Sequence, residues 1–146
     1  MKSYKDILLR SASDDQTLTM MRDALSQTLC DDLEFETQAY QPVVLYINGE
    51  YWGIHNVREK YNESYFEGNY GVNKSDVNIV DNNSQNSWNI KAGSADSYNN
   101  MIDYLNTHSL TNQANYEYIK TQIDEESFLD YMIALIYLGN NDWPVS

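Results

Sequence analysis

The chain has 146 residues and a formal net charge of -13, from 22 acidic and 9 basic side chains. This length is enough for one domain with a hydrophobic core, whereas so acidic a surface disfavours electrostatic binding to nucleic acids or anionic membranes. The sequence has no apolar run of about 18 residues, so it predicts no membrane-spanning helix.

The first thirty residues predict a strand followed by a helix. The apolar run at residues 6–10 predicts a short buried strand. Apolar side chains then recur at helical spacing and predict a helix over about residues 17–29, with Asp15 or Thr17 as its cap. The single cysteine, Cys30, follows this helix, and we expect a buried, unreactive thiol.

The clearest local signal is the pair Asn48-Gly49 between two β-rich runs. A type I′ turn needs positive φ at both central residues, and Asn-Gly meets that need best. We therefore expect a hairpin with strands over residues 43–47 and 51–57. Gly53 interrupts the second strand and indicates a bulge or close packing.

The remainder is mostly helical in pattern. Helices are predicted around residues 61–70, 95–107, 115–123 and 125–138, with a strand at 77–80 and a polar loop at 81–93. The helix at 125–138 is apolar on nearly every side, which is typical of a buried helix. The element order predicts an α+β fold, in which a β-hairpin or small antiparallel sheet precedes a mostly helical C-terminal part.

Common catalytic motifs are absent from the sequence. It contains no phosphate loop, no Cys-x-x-Cys, no His-Glu-x-x-His and no Gly-x-Ser-x-Gly. The two histidines, His55 and His108, have no ligand-like spacing. Candidate site residues must therefore come from less specific patterns.

Asp142 is the candidate catalytic residue. It follows the apolar helix and precedes Trp143-Pro144, and Pro144 keeps the residue before it out of helical geometry. The helix is thus expected to end near Gly139 and to leave Asp142 in a shaped loop. A carboxylate there can accept a proton or bind a metal, while an ordinary turn is the alternative.

Two further charged residues end predicted strands. Glu59 closes the second hairpin strand, between Arg58 and Lys60, and these three residues also have the pattern of a solvated charge cluster. Arg10 ends the first strand and is able to hold a phosphate or to pair with nearby acidic residues, namely Asp14 or Asp15.

Taken together, these segments resemble the CotH kinase family, which is named for a bacterial spore-coat protein. The resemblance is carried by Met21-Arg22-Asp23, Tyr46-Ile47-Asn48-Gly49-Glu50-Tyr51-Trp52-Gly53, Glu59-Lys60 and Asn140-Asn141-Asp142. It spans about residues 7–144. The family is kinase-like in fold and binds ATP with a divalent metal.

The resemblance implies a partial kinase-like domain, truncated at both ends, with an N-lobe-like part over about residues 1–60 and a helical part over about 61–146. It implies a parent protein that transfers phosphate from ATP to protein hydroxyls, with Mg²⁺ or Mn²⁺. Asp142 would match the catalytic-loop aspartate. Arg10 would stand where a lysine binds the phosphates, and Arg58-Glu59-Lys60, with Glu59 as the nucleotide-binding residue, would lie near the adenine-binding hinge.

The chain also departs from a kinase pattern. The loop that covers the phosphates is absent before the first strand, and the family's metal-binding residues would lie beyond Ser146, so no metal ligand is assigned within the chain. We therefore expect residues 1–146 alone to be inactive and to bind ATP–Mg²⁺ weakly or not at all.

Two other functions fit the sequence. One is a non-catalytic cell-surface or spore-coat-like structural or interaction domain. The other is a carbohydrate-binding module, since the Tyr and Trp content suits sugar stacking.

Expectations about partners and location follow from composition. A protein substrate is expected, with no nucleic-acid partner and no membrane insertion. The apolar helix at 125–138 favours self-association of the chain. A Tyr- and Asn-rich, Lys-poor composition favours a parent protein outside the cytoplasm or at the cell surface.

Overall fold

The computed structural model describes residues 6–82 and 88–140. These residues form two units. The three-stranded unit consists of residues 6–60 and 125–140, and the two-stranded unit consists of residues 61–82 and 88–124. Within the described residues, five α-helices accompany two small antiparallel sheets, which confirms the predicted α+β class. The single partial domain stays a prediction.

In chain order the elements are β1 (Ile7–Arg10), α1 (Arg22–Leu29), β2 (Tyr40–Ile47), β3 (Glu50–Glu59), α2 (Glu63–Tyr70), β4 (Ile79–Asn82), β5 (Trp88–Ala92), α3 (Asp96–Thr107), α4 (Gln113–Lys120) and α5 (Glu125–Tyr137). Short 3-10 turns lie at Ser13–Asp15 and Lys74–Asp76. The predicted helices and strands therefore exist, with shifted ends and one additional strand. None of the described helices is both long and apolar enough to cross a membrane.

The β2–β3 hairpin forms as predicted. Asn48 and Gly49 have φ values of 53° and 84°, the positive values that a type I′ turn requires. The register shifts by one residue after Leu45, near Gly53 with φ 103°, which confirms the expected bulge. β3 is the central strand of its sheet, and β1 and β2 both pair antiparallel with it.

Helix α1 begins at Arg22, five residues later than predicted. The Asp15 carboxylate accepts hydrogen bonds from the Thr19 backbone N–H at 3.1 Å and the Thr19 hydroxyl at 2.6 Å. It also accepts the backbone N–H of Arg22 at 2.9 Å. These bonds close residues 15–22 into a loop, in which Met20 has a φ of 59°. The loop replaces the predicted first helical turns, and Asp15 satisfies the first N–H of α1.

The connection between α1 and β2 packs against α5. The backbone N–H of Glu34 donates to the Asp130 carboxylate at 2.9 Å. Next to it, the rings of Phe35 and Tyr131 meet edge to face with centroids 5.5 Å apart. The loop between α1 and β2 thus holds α5 in the three-stranded unit, although Glu34 and Asp130 are 96 residues apart in the sequence.

In the two-stranded unit, the prediction of a loop over residues 81–93 is wrong for residues 81–82 and 88–92, which belong to strands, whereas residues 83–87 of that prediction lie outside the described residues. β4 extends into this stretch, and β5 covers its second half, with Val80 opposite Ile90. The apolar–polar alternation of β5 is only a few residues long and lies among many Asn and Ser residues, so the sequence did not indicate a strand there. β5 forms because it pairs with β4 through backbone hydrogen bonds, and the composition of a segment does not show its pairing partner.

The helices of this unit follow the predicted positions closely. α2 ends at Gly71, whose φ is 69°. α4 begins two residues earlier than predicted because the Asn112 side chain accepts the N–H of Ala114 and caps it. Tyr104 of α3 stacks on His108 at 3.9 Å between ring centroids and packs against Tyr118 of α4 at 4.3 Å.

Burial departs from the sequence-based expectation in two elements. α5 was predicted to be buried all round, but Ala134 is the one buried residue of its 13. Ile136 and Tyr137 are 71% and 84% exposed. β1, predicted to be a buried strand, is exposed at all four residues. Both predictions are wrong because burial depends on what packs against an element, and its own composition does not supply that partner.

Candidate functional site

The register of the three-stranded sheet brings two arginines to one face. Arg10 of β1 lies opposite Asn56 of β3, and Leu8 lies opposite Arg58. Residues directly opposite each other in an antiparallel pair project from the same face, as do residues two apart along a strand. Arg10 and Arg58 therefore share a sheet face.

Helix α1 supplies a carboxylate to these two arginines. Nη2 of Arg58 lies 2.5 Å from Oδ2 of Asp23, and Nη1 of Arg10 lies 3.8 Å from the same oxygen. The Arg58 side chain is fully buried, whereas those of Arg10 and Asp23 are about half exposed. We call these three residues the arginine cluster. It joins β1, β3 and α1, and it combines two positive charges with one negative charge.

The cluster corrects two sequence-based interpretations. Arg10 pairs with Asp23, not with Asp14 or Asp15; Asp15 instead faces Arg22 at 3.8 Å. The interpretation of residues 58–60 as a solvated charge cluster is wrong for Arg58, whose side chain has no exposed surface.

Arg58 has donors that meet no acceptor among the described residues. Its Nε and Nη1 are buried without a hydrogen-bond partner, and its close contact with Asp23 is an ion pair without hydrogen-bond geometry. The ring of Tyr40 lies 5.8 Å from the guanidinium carbon. Buried polar groups in folded proteins are rarely left unmatched, so this arginine calls for an explanation beyond packing.

Glu59 lies at the other end of the β1–β3 pairing from Arg10. It is opposite Ile7, so about 10 Å of sheet separates it from the level of Arg10. Its backbone carbonyl accepts a hydrogen bond from the Gln38 side chain at 2.9 Å. The structure therefore places Arg10 and Glu59 on the same pair of strands without bringing their side chains together.

Asp142, the candidate catalytic residue, lies outside the described residues. Within residues 6–82 and 88–140, no group of three or more His, Cys, Asp or Glu side chains is arranged to hold a metal ion.

Two groups in the three-stranded unit have perturbed acidity. The hydroxyl of Thr19, followed by the backbone N–H of Arg22, lowers the pKa of Asp15 to about 2. Burial raises the pKa of the Cys30 thiol, which agrees with the expected buried and unreactive cysteine. Asp15 is outside the arginine cluster, but its bond to Arg22 fixes the start of α1, one residue before Asp23.

The residues that sequence reasoning missed are Asp23 and Arg58. The sequence signal for Arg58 was its position two residues after Asn56, which puts both polar side chains on one face of a strand; the structure buries both. Asp23 was noted as part of Arg22-Asp23 but was given no role. Its pairing depends on where α1 lies over the sheet, which no local pattern encodes.

Comparison with known proteins gives one family. The CotH family, described as CotH kinase protein, matches residues 1–146. No curated protein matches the chain, and no solved structure matches it either. Since the family match covers the whole chain, and since the hairpin that carries the sequence resemblance forms as expected, the chain belongs to the CotH kinase family.

Proposed function

We propose that this chain is part of a CotH-type kinase that transfers the γ-phosphoryl group of ATP to a hydroxyl group of a protein. The observation that carries the proposal is the ion pair between Arg10 of β1 and Asp23 of α1. In protein kinases, a lysine on a strand binds the nucleotide phosphates, and a glutamate on the following helix forms an ion pair with that lysine. Arg10 and Asp23 have the same charges, on the same kinds of element, in the same chain order.

Arginine at this position is compatible with phosphate binding. Its guanidinium stays charged at any physiological pH and offers five donors in a fork that fits two phosphate oxygens. Arg10 is about half exposed, and its ion pair with Asp23, the one that it makes among the described residues, is long at 3.8 Å. Most of its donors are therefore open to a ligand.

We assign Glu59 to the adenine end of the nucleotide. It follows the central strand of the sheet, and the level of Arg10 lies about 10 Å away along the strands. In this arrangement the phosphates lie at the Arg10 end of β1 and the base lies at the Ile7 end. The Glu59 side chain projects from the sheet face opposite to Arg10, because Ile7 and Arg10 are three residues apart along β1. The assignment therefore concerns the end of β3 that the base would reach, and it involves no side-chain contact shared with Arg10.

Mg²⁺ or Mn²⁺, bound together with ATP, would neutralise part of the negative charge of the phosphates. The described residues offer no ready-made group of metal ligands. We propose that nucleotide oxygens and protein ligands outside the described residues would share the ion, since Mg²⁺ commonly combines one or two carboxylates with substrate phosphates. Such neutralisation matters here because a chain with a net charge of -13 repels a bare polyphosphate.

Asp142 is the proposed catalytic residue, and it provides the test. In the longer protein, Asp142→Asn should abolish transfer of radiolabelled phosphate from ATP to protein while ATP affinity stays within a few-fold of wild type. A catalytic-loop aspartate orients the acceptor hydroxyl, so it acts mainly in the transition state. Asp103→Asn, at an exposed carboxylate on α3, is the matched control.

Each outcome of this assay has a clear meaning. Transfer at a near wild-type rate in Asp142→Asn would leave Asp142 as a turn residue. A joint loss of transfer and of ATP affinity would make it a nucleotide or metal ligand, or a residue needed for folding.

A second candidate function is a non-catalytic interaction domain at the cell surface. It is favoured by aromatic side chains at the β2–β3 hairpin, where Tyr46, Tyr51 and Trp52 are 62%, 61% and 58% exposed. If the wild-type longer protein transfers no phosphate to any protein, this second candidate replaces the first.

We also propose that the longer protein acts outside the cytoplasm on protein substrates located there. The Tyr- and Asn-rich, Lys-poor composition supports this proposal. Cell fractionation, combined with protease treatment of intact cells, tests it directly: a protein that stays protected until the cells are lysed would contradict it.

A further inference from the structure

The Asp23 carboxylate faces an inner and an outer arginine through one oxygen. Arg58 is the inner partner, fully buried, with its Nη2 2.5 Å from Oδ2. Arg10 is the outer partner, half exposed, with its Nη1 3.8 Å from the same oxygen. The two arginines therefore compete for one carboxylate, and the buried arginine holds it more closely.

The buried Arg58 cannot lower the cost of its burial by losing a proton. A guanidinium stays charged in proteins, and a buried charge without a partner is strongly unfavourable. Arg58 already lacks acceptors for Nε and Nη1 among the described residues. Among the described residues, Asp23 supplies the ion pair of Arg58, and the burial of the guanidinium strengthens that attraction.

The consequence concerns Arg10. If Asp23 were released by Arg58, its Oδ2 would close the 3.8 Å gap and form a short pair with Arg10, while Oδ1 keeps the hydrogen bond that it accepts from the Gln27 side chain at 3.1 Å. A close pair would turn the planar fork of Arg10 toward α1 and leave fewer of its five donors for a phosphate. With Arg58 in place, Arg10 is oriented by Asp23 at a distance and keeps its donors available.

We propose that Arg58 is a positioning residue that holds Asp23 away from Arg10 and thereby keeps Arg10 open to a polyphosphate. The identity of the ligand rests on the proposed function. The restraint on Asp23 does not, because it is a property of the three side chains. Arg58 itself does not touch the ligand, since none of its side-chain surface is exposed.

The first experiment reads the state of Arg10 without any ligand. Arg10, Arg22 and Arg58 are the arginines of the chain. Phenylglyoxal modifies accessible guanidinium groups, and mass spectrometry gives a separate rate for each site. Arg22, 66% exposed at its side chain, is the internal reference. It adjoins Asp23 along α1, and adjacent helical residues do not face each other.

The decisive variant is Arg58→Met, which replaces the buried guanidinium with an unbranched apolar chain. We expect Arg10 to be modified several-fold more slowly than in wild type, relative to Arg22, because the released Asp23 pairs with it. In the double variant Arg58→Met with Asp23→Asn, no carboxylate is left to sequester Arg10, and the rate should recover. A purely structural role for Arg58 would not produce this recovery.

The second experiment measures polyphosphate binding by NMR, following the arginine Nε–H resonances during titration with inorganic triphosphate and with ATP–Mg²⁺. This method follows weak binding, which is what we expect of residues 1–146. Arg58→Met should weaken triphosphate binding by about tenfold, the effect of losing one charge-assisted hydrogen bond. The double variant should regain most of the affinity, and Arg10→Met should abolish binding.

The outcomes separate this inference from the proposed function. If wild type binds neither triphosphate nor ATP, the proposed function fails, and the modification rates still decide the role of Arg58. An unchanged Arg10 rate in folded Arg58→Met, or no recovery in the double variant, overturns the positioning role. If circular dichroism shows that Arg58→Met does not fold, Arg58→Gln decides, because it keeps polar donors at the buried position without the charge that holds Asp23. Arg10 modification should then also be slowed, and a wild-type rate there overturns the inference.

Discussion

At the scale of single residues, Asp15 organises the path from β1 to α1. Its carboxylate accepts two hydrogen bonds from Thr19 and one from the backbone of Arg22. All three favour the ionised form, and the pKa of Asp15 falls to about 2. Because Asp23 follows Arg22 directly, the orientation of the arginine cluster depends on this carboxylate.

The Asp15 contribution to stability should therefore depend on pH. A carboxyl whose pKa is lowered from 3.8 to about 2 stabilises the fold fully above pH 3.8, and this contribution is lost as the pH falls through about 2. We expect Asp15→Asn to melt at a lower temperature than wild type near neutral pH, and the gap to close at the acid end. Thermal melts across this pH range measure it.

The control for this prediction is Asp14→Asn, at the exposed neighbouring carboxylate. It should show no such closing gap. A gap between wild type and Asp15→Asn that is constant from neutral to acid pH would contradict the assigned role of the charge.

Gly93 is a second single residue with a specific structural role, because no other residue type fits at its position. It has a φ of 63°, and a Cβ there would lie 2.0 Å from Oδ1 of Asn78 and 2.9 Å from the carbonyl oxygen of Val77. The same Asn78 oxygen accepts the backbone N–H of Ser94 at 2.8 Å, so it cannot move away without loss. A side chain is excluded on both conformational and steric grounds.

We expect Gly93→Ala to lower the free energy of unfolding by about 3 kcal/mol, from backbone strain and overpacking together. Chemical denaturation measures the loss. The double variant with Asn78→Ala should lose less than the sum of the two single variants, because the shorter side chain removes the closest clash. Strict additivity would show that the two positions do not interact.

At the scale of elements, the β2–β3 hairpin is the part that local chemistry specifies most completely. Asn48 and Gly49 adopt the positive φ values of the turn, and the strands on either side carry β-branched and aromatic residues. Edge-to-face packing of Tyr46 and Tyr51, with centroids 5.9 Å apart, adds a cross-strand contact beside the turn.

The same substitution at two glycines should have opposite effects. Gly49→Ala places a side chain at φ 84° and should cost about 1 kcal/mol of stability. Gly68→Ala lies inside α2, where a Cβ meets nothing within 4 Å, and should add about 0.8 kcal/mol through better helix propensity. Urea unfolding of both variants beside wild type checks the signs, and equal signs would contradict the assigned turn geometry.

At the scale of the whole molecule, exposed apolar surface and acidic charge have opposite effects on association between copies of the chain. Four apolar side chains line one side of α5 and form what we call the α5 stripe: Leu129, Ile133, Ile136 and Tyr137 are 50%, 61%, 71% and 84% exposed. Contiguous apolar surface of this kind favours association. The net charge of -13 works against bringing two copies together.

We expect the 146-residue chain to self-associate through the α5 stripe, and more strongly as salt screens the charge. Sedimentation velocity across a range of protein concentrations and salt levels measures this. Replacing both Ile133→Glu and Ile136→Glu should keep the chain monomeric. Leu110→Glu, at a 44% exposed apolar residue of the two-stranded unit, should associate like wild type. A monomeric wild type under all conditions would contradict the expectation.

Local features of this protein were predictable because they depend on a few neighbouring residues. The Asn48-Gly49 turn, the bulge near Gly53 and α3 to within one residue all follow from backbone preference and side-chain period. The CotH resemblance also rested on such local segments, and the family match confirmed it. β5 escaped prediction because its alternation is short and its stability depends on β4.

The candidate site was predictable only in part. Arg10 was identified from its place at the end of a strand, but its partner was not, since Asp14 and Asp15 are near in sequence while Asp23 is near in space. The partner is set by the register of β1 on β3 and by the loop through which Asp15 delays the start of α1.

The sequence is enough to predict the α+β class, the hairpin, most helices and the CotH family, because each rests on local conformation or on residue identity. Which charges meet and which apolar surfaces are covered depends on how the elements pack. In the folded chain, Arg58 is buried against Asp23, and the α5 stripe is exposed. The physical reason is that burial and ion pairing are properties of two packed elements at once, and a pattern along one element carries information about that element alone.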